Sequence, residues 1–148
     1  MAHVLHLFAH TLMPLDDHNR THEGSLPSMD REWARVVYVR RLIEERFDQP
    51  LTLDTLAAAV GLHRASLASA FRRRTGQTVH QTLIGARMRR AEELVREGCK
   101  IEAVVLLVGY RSKKSFYRHF RSRVGVTPGT YRLQFGALAT VAHDSSVG

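Results

Sequence analysis

Apolar residues recur every three or four positions along most of the chain from residue 31 onward, the spacing that places side chains on one face of an α-helix. Short polar segments that contain glycine or proline interrupt this pattern and divide the chain into about seven helices. No segment alternates apolar and polar residues as a half-buried strand does. The pattern therefore predicts an all-α fold.

The first predicted helix runs from about Arg31 to Phe47. Asp30 is its expected N-cap, because a carboxylate accepts a hydrogen bond from the free N–H groups of a first helical turn. The helix is expected to end before Pro50, since proline cannot continue a helix. Its apolar stripe, which we expect to be buried, consists of Trp33, Val36, Val37, Ile43 and Phe47.

Two later segments repeat one helical pattern, with an offset of 48 residues as far as a shared glycine and 49 after it. Each copy has a short amphipathic helix that ends at Gly61 or Gly109, where glycine most easily adopts a left-handed backbone. A turn and a second helix follow, so each copy predicts a helix-turn-helix, over about 53–75 and 101–124. The matching apolar residues are Leu53, Leu56, Ala57, Val60, Leu67 and Phe71 in the first copy, and Ile101, Val104, Val105, Val108, Phe116 and Phe120 in the second.

The residues between the copies predict one long connecting helix. Residues 79–97 have helical spacing with Thr78 as the expected N-cap, and at 1.5 Å per residue they span roughly 28 Å. Thr127-Pro128 predicts the start of a last helix, because threonine caps well and proline suits the first helical position. Residues 1–30 are expected to be a flexible or weakly helical extension, and residues 136–148 a loose tail.

Positive charge is concentrated in the repeated segments. The formal net charge is +8; residues 63–90 contain seven arginines and no acidic residue, and residues 99–135 contain eight basic residues against Glu102 alone. Two basic segments favour two contacts with a polyanion such as a nucleic acid. A basic surface that only keeps the protein in solution is the alternative.

Residues 109–132, GYRSKKSFYRHFRSRVGVTPGTYR, resemble the signature of the AraC/XylS family of bacterial transcription regulators, and LTLDTLAAAVGLHRASLASAFRRRTGQT resembles its first helix-turn-helix. Arg87 and Ala91 match positions of its connecting helix. The resemblance implies a DNA-binding domain over 31–135, in a short form without a sensor domain, that lays two recognition helices into successive major-groove segments. The family most often activates transcription. Because the copies differ, we expect an asymmetric site occupied by a monomer or weak dimer.

The second copy offers the more specific candidate contacts. Its basic side chains share one helix face, opposite Phe116 and Phe120, and arginine or lysine can donate to the two major-groove acceptors of guanine. The family's base-contacting positions are occupied by Lys113, Lys114 and Arg118. Phosphate contacts are expected from Arg111, Tyr117 and Arg121. The alternative is a solvated basic face that touches phosphates only.

The first copy has small residues at its reading positions, so we expect it mainly to anchor the protein while the second copy specifies sequence. Alanine there can still contact a thymine methyl group, and the candidate base contacts are Ala65 and Ser69. The candidate phosphate contacts are Arg64, Arg72 and Arg73, with Arg74 beside them. His63 stands where the family often has a serine or threonine cap, which weakens the predicted helix start.

Leu106 and Leu107 occupy positions where the family pattern has polar residues. One of them completes the core, or the pair forms an apolar surface for a partner such as RNA polymerase or a second subunit. A non-specific architectural or RNA-binding protein is the alternative to a regulator, because basic segments alone permit it. The sequence shows no aromatic platform of the kind on which single-stranded bases stack, which disfavours that alternative.

Other classes of function are disfavoured. Cys99 is the sole cysteine and is expected to be a partly buried, unreactive thiol, which excludes an internal disulfide and a multi-cysteine zinc site. His3, His6 and His10 have helical spacing, but we expect no metal, no cofactor and no enzyme activity. Thirty residues before the first helix are too few for a ligand-binding core, so no small-molecule effector is expected within this chain. With no membrane segment or secretory signal, we expect a cytoplasmic protein associated with the nucleoid.

Overall fold

A computed structural model describes the backbone of residues 28–144 and the side chains of residues 31–136. The predicted N-terminal extension with His3, His6 and His10, and residues 145–148, lie outside this description. Within it the chain forms helices and no strand, and none of these helices is long and apolar enough to cross a membrane. Residues 28–144 contain seven helices: α1 (Ser28–Arg46), α2 (Leu53–Ala59), α3 (Arg64–Thr75), α4 (Val79–Arg96), α5 (Ile101–Leu107), α6 (Lys113–Val124) and α7 (Pro128–Asp144). The predicted all-α class and the long connecting helix are confirmed.

The described chain divides into two compact units, each containing one helix-turn-helix. The first unit comprises residues 28–42 and 51–79, and the second comprises residues 43–50 and 80–144. In the first unit α2 and α3 pack together. Burying a large apolar side chain stabilises a fold by about 1.5–3 kcal/mol, and the buried residues of this pair are Leu56, Ala57, Leu67, Ala70 and Phe71.

The second unit has the larger described core, built from α4, α5, α6 and α7. Phe116 and Phe120 are fully buried, and the Phe120 ring meets Tyr131 of α7 edge to face at 5.6 Å between ring centres. Tyr131 follows the predicted cap, in which the hydroxyl oxygen of Thr127 accepts a hydrogen bond from the N–H of Thr130 at 3.2 Å. The remaining fully buried members of the cluster are Met88, Ala91, Val95, Val104 and Val108.

The helix ends follow the caps that the sequence contains. Ser112 caps α6, because its hydroxyl oxygen accepts a hydrogen bond from the N–H of Ser115 at 3.2 Å. His63 precedes α3 without a capping hydrogen bond, as its side-chain type predicts. Gly61 and Gly109 have φ values of +66° and +83°, which confirms their predicted role in ending α2 and α5.

Two predictions about the ends of the described chain were wrong. Helix α1 begins at Ser28, so Asp30 lies inside it and is not its N-cap. Helix α7 continues to Asp144 through the predicted tail, because Gly136 does not have the positive φ that would end a helix and the next residues, Ala-Leu-Ala, favour helix.

The buried face of α1 is also rotated about the helix axis relative to the predicted one. Trp33 and Val37 are 43% and 44% exposed, contrary to their predicted burial. Each residue turns the helix by about 100°, so both side chains lie well away from the direction in which α1 is buried. Phe47 is partly buried, and the buried positions of α1 are Val36, Val39, Leu42 and Ile43.

Candidate nucleic-acid interface

Helix α6 buries an aromatic face and exposes a basic one. Phe116 and Phe120 have no exposed surface, whereas Lys114, Arg118 and Arg121 are exposed. The basic residues are spaced i, i+4 and i+7, which places them on one face of the helix. The structure therefore brings these three predicted contacts together on the outer side of the second unit.

The basic face of α6 retains free positive charge. Arg111, Lys114, Arg118 and Arg121 form no ion pair with any residue whose side chain the structure describes. A cation without a carboxylate partner can bind an external anion without first breaking an internal pair. A shallow depression beside them is lined by Tyr117, Arg118, Arg121, Ser122 and Thr127, and Tyr117 itself is partly buried.

Lys113 differs from its neighbours because it is already paired. Its Nζ lies 2.9 Å from Oε1 of Glu102 and 5.6 Å from the centre of the Tyr117 ring. This hydrogen bond is the main reason that the pKa of Glu102 is lowered and the pKa of Lys113 is raised. Sequence reasoning missed the pair, although a lone acidic residue in a basic segment was its signal.

The arginines of the first unit are unequally available. Arg73 and Arg74 share Glu32 of α1, at 2.7 Å and 3.0 Å, and these hydrogen bonds lower the pKa of Glu32. Arg64 lies 3.4 Å from Asp54, while Arg72 forms no ion pair with a described side chain. Of the candidate base contacts, Ala65 and Ser69 are both exposed.

Tyr110 and His119 form a contact that sequence reasoning did not identify. The Tyr110 hydroxyl oxygen lies 2.6 Å from Nδ1 of His119. Burial raises the pKa of Tyr110 to about 12, so the hydroxyl keeps its proton, and the tautomer of His119 sets which of the two groups donates. The pair therefore joins the turn before α6 to the helix itself.

Arg87 links the segment that follows α1 to the turn before α6. Its Nε donates to the carbonyl oxygen of Phe47 at 2.7 Å, and its Nη2 donates to that of Gln49 at 2.9 Å. Its guanidinium carbon also lies 5.4 Å from the centre of the Tyr110 ring. Arg87, which matches the family's connecting helix, therefore has a structural role within the second unit.

Leu106 and Leu107 are 72% and 55% exposed, so neither completes the core. The core positions of α5 are taken by Val104, Val105 and Val108. Cys99 is partly buried, as predicted. No group of three histidine, cysteine or acidic residues capable of holding a metal occurs among the described residues.

A family model described as a helix-turn-helix domain matches residues 56–134. The RCS-specific HTH-type transcriptional activator RclR of Escherichia coli K12 is 32% identical over 102 residues, covering 66% of this chain and 36% of the relative. The melibiose operon regulatory protein of the same organism is 30% identical over 115 residues, covering 77% and 37%. The chain thus spans little more than a third of the length of these relatives.

Two solved structures share this fold. The C-terminal domain of AraT, a response regulator from Geobacillus stearothermophilus, has a TM-score of 0.65 at 26% identity and covers 75% of this chain and 88% of that one. The DNA-binding domain of AdpA, a global transcriptional factor solved in complex with a target DNA, has a TM-score of 0.66 at 28% identity and covers 70% and 94%. The match to this chain covers nearly the whole length of both domains.

Proposed function

The chain belongs to the AraC/XylS family of helix-turn-helix transcription regulators, and we propose that it binds double-stranded DNA at a specific sequence and regulates transcription there. The observation that carries this proposal is the exposed, unpaired basic face of α6, opposite the buried Phe116 and Phe120. A helix with this division can enter a major groove with its polar face while its apolar face keeps it in the domain.

We assign sequence reading mainly to the second unit and anchoring to the first. Lys114 and Arg118 are long donors suited to guanine, whereas Ala65 and Ser69 offer a methyl group and one hydroxyl. The two different units favour an asymmetric site that one chain can occupy. The base contacts of α6 are Lys113, Lys114 and Arg118. The phosphate contacts are Arg64, Arg72, Arg73, Arg111, Tyr117 and Arg121.

We further propose that the bound protein activates transcription by contacting RNA polymerase through Leu106 and Leu107. Both leucines are exposed on α5, and exposed apolar side chains that are not needed for folding favour a protein partner. A relative with the same domain is named a transcriptional activator. We expect the protein to act at the nucleoid.

Selection of bound duplexes from a random pool tests the DNA-binding proposal. We expect one asymmetric sequence to be enriched, and its affinity to exceed that of a scrambled duplex by at least about 10³-fold at physiological salt. The comparison must be made at a fixed salt concentration, because any cationic protein binds DNA at low salt. A ratio near one, or equal binding of double-stranded RNA, would favour the architectural alternative.

A further inference from the structure

The two helix-turn-helix pairs contain the same ion pair. In the first, Arg64 begins α3 and its Nη1 lies 3.4 Å from Oδ2 of Asp54, the second residue of α2. In the second, Lys113 begins α6 and its Nζ lies 2.9 Å from Oε1 of Glu102, the second residue of α5. The acids are 48 residues apart and the cations 49, which are the offsets of the repeat.

Helix electrostatics explain why each acid stands where it does. The N-terminus of a helix is positive, so a cation at its first residue is disfavoured and an acid in its first turn is favoured. Neither α3 nor α6 has an acidic residue in its first turn. Asp54 and Glu102 lie in the first turns of α2 and α5. Each also neutralises the cation that begins the following helix, Arg64 of α3 or Lys113 of α6.

These pairs contribute little to folding. The side chains of Lys113 and Glu102 are 55% and 70% exposed, and those of Arg64 and Asp54 are 65% and 66% exposed. Exposed ion pairs add little to stability, because solvent screens the charges. Their larger consequence is at the start of each recognition helix, where the carboxylate competes with any DNA phosphate for the cation.

On the basis of the proposed function, we propose that Glu102 is a specificity-determining positioning residue that keeps Lys113, the first cation of the recognition helix α6, from binding phosphates freely. Asp54 restrains Arg64 of α3 in the same way, but Arg64 is assigned to a phosphate, so that pair weakens specific and non-specific binding alike. Sequence-independent binding depends on phosphate contacts, so it is weakened by the pair. A lysine ammonium has three donors. Lys113 can therefore stay paired with Glu102 while it donates to a base. The pair thus lowers the affinity for the specific site less than it lowers non-specific affinity.

The decisive variant is Glu102→Gln, which keeps the size and the acceptor oxygen but removes the charge. We expect roughly two- to fivefold tighter binding to a scrambled duplex, with the dependence of log affinity on log salt steeper by about 0.9. The ratio of specific to non-specific affinity should fall. Glu102→Asp keeps the charge and should retain the wild-type ratio.

Two controls separate this effect from added charge in general. Glu97→Gln makes the same charge change at an exposed acid whose partner is Arg90 of α4, and we expect little change in the ratio. Adding Lys113→Met to Glu102→Gln should abolish the gain in non-specific affinity, because the gain depends on the released lysine. Thermal unfolding checks that every variant is folded.

The outcomes distinguish the two proposals. A high wild-type specificity ratio that Glu102→Gln changes no more than Glu97→Gln does would overturn the role of Glu102 and leave the proposed function intact. A wild-type ratio near one would overturn the proposed function itself, and with it the specificity role. The variant Asp54→Asn should instead tighten binding to selected and scrambled duplexes alike, because its partner Arg64 is assigned to a phosphate and not to a base.

Discussion

Gly109 packs directly against the backbone of Asp48: a Cβ atom added to Gly109 would lie 2.6 Å from the Asp48 carbonyl oxygen and 2.9 Å from its Cα. Gly109 also has a φ of +83°, a conformation that other residues rarely adopt. Close approach and backbone conformation thus both require glycine at the turn between α5 and α6.

Gly109→Ala should therefore destabilise the protein more than Gly125→Ala does. Gly125 has a similar φ of +86°, but a Cβ there would meet nothing within 4 Å, so its substitution costs only the strained backbone, about 1 kcal/mol. The Gly109 variant must also move the backbone of Asp48. Urea unfolding of both variants measures the difference, and equal losses would contradict the packing argument.

Arg118→Ala and Arg72→Ala should have different effects on DNA binding. Both are exposed arginines without an ion-pair partner among the described side chains, but we assign Arg118 to a base and Arg72 to a phosphate. Arg118→Ala should cost about 1–3 kcal/mol on the selected duplex and relax its specificity, whereas Arg72→Ala should weaken binding to all duplexes alike. Measuring the affinity of each variant for the selected and the scrambled duplex tests this difference, and the reverse pattern would refute the assignment.

Replacing Leu106 and Leu107 together by serine should leave the free energy of unfolding within about 0.5 kcal/mol of wild type, because exposed positions tolerate polar residues. DNA affinity should be unchanged, while activation of a reporter gene should fall. Val105→Ser is the contrasting control, since Val105 is only 6% exposed and a buried polar group destabilises the fold. Full reporter activity in the double variant would exclude the proposed polymerase contact.

The stability of the second unit should decrease as the pH falls below about 6.5. Burial, followed by the charges of Arg118, His80 and Arg87, lowers the pKa of His119 from its ordinary value of 6.5. The unfolded chain therefore binds a proton more readily than the folded one. The stability from neutral His119 is fully present above that pH and is lost as the pH falls toward the folded-state pKa.

His119→Gln tests this relationship, because the glutamine amide can still hydrogen-bond to the Tyr110 hydroxyl, as donor or acceptor, but does not titrate. The variant should show a shallower decrease in unfolding free energy between neutral and mildly acidic pH. Denaturant unfolding across this range provides the measurement. Parallel pH profiles for the two proteins would exclude His119 as the group responsible.

The sequence by itself determined the helices, the duplicated helix-turn-helix and the outer position of Lys114, Arg118 and Arg121. These features depend on spacing within a few turns of one helix, and on glycine, proline and serine at its ends. Where this local information was weak, prediction was wrong, as in the burial of Trp33.

Only the tertiary structure decided which cations are free and which apolar residues stay exposed. Arg73 meets Glu32 across 41 residues of sequence and Lys113 meets Glu102 across 11, although composition alone gives all of these basic residues the same charge. Helical periodicity likewise does not show that Leu106 is left uncovered. A charge is neutralised, and a surface buried, by whatever the fold brings within a few ångströms, and that neighbour is set by packing between helices.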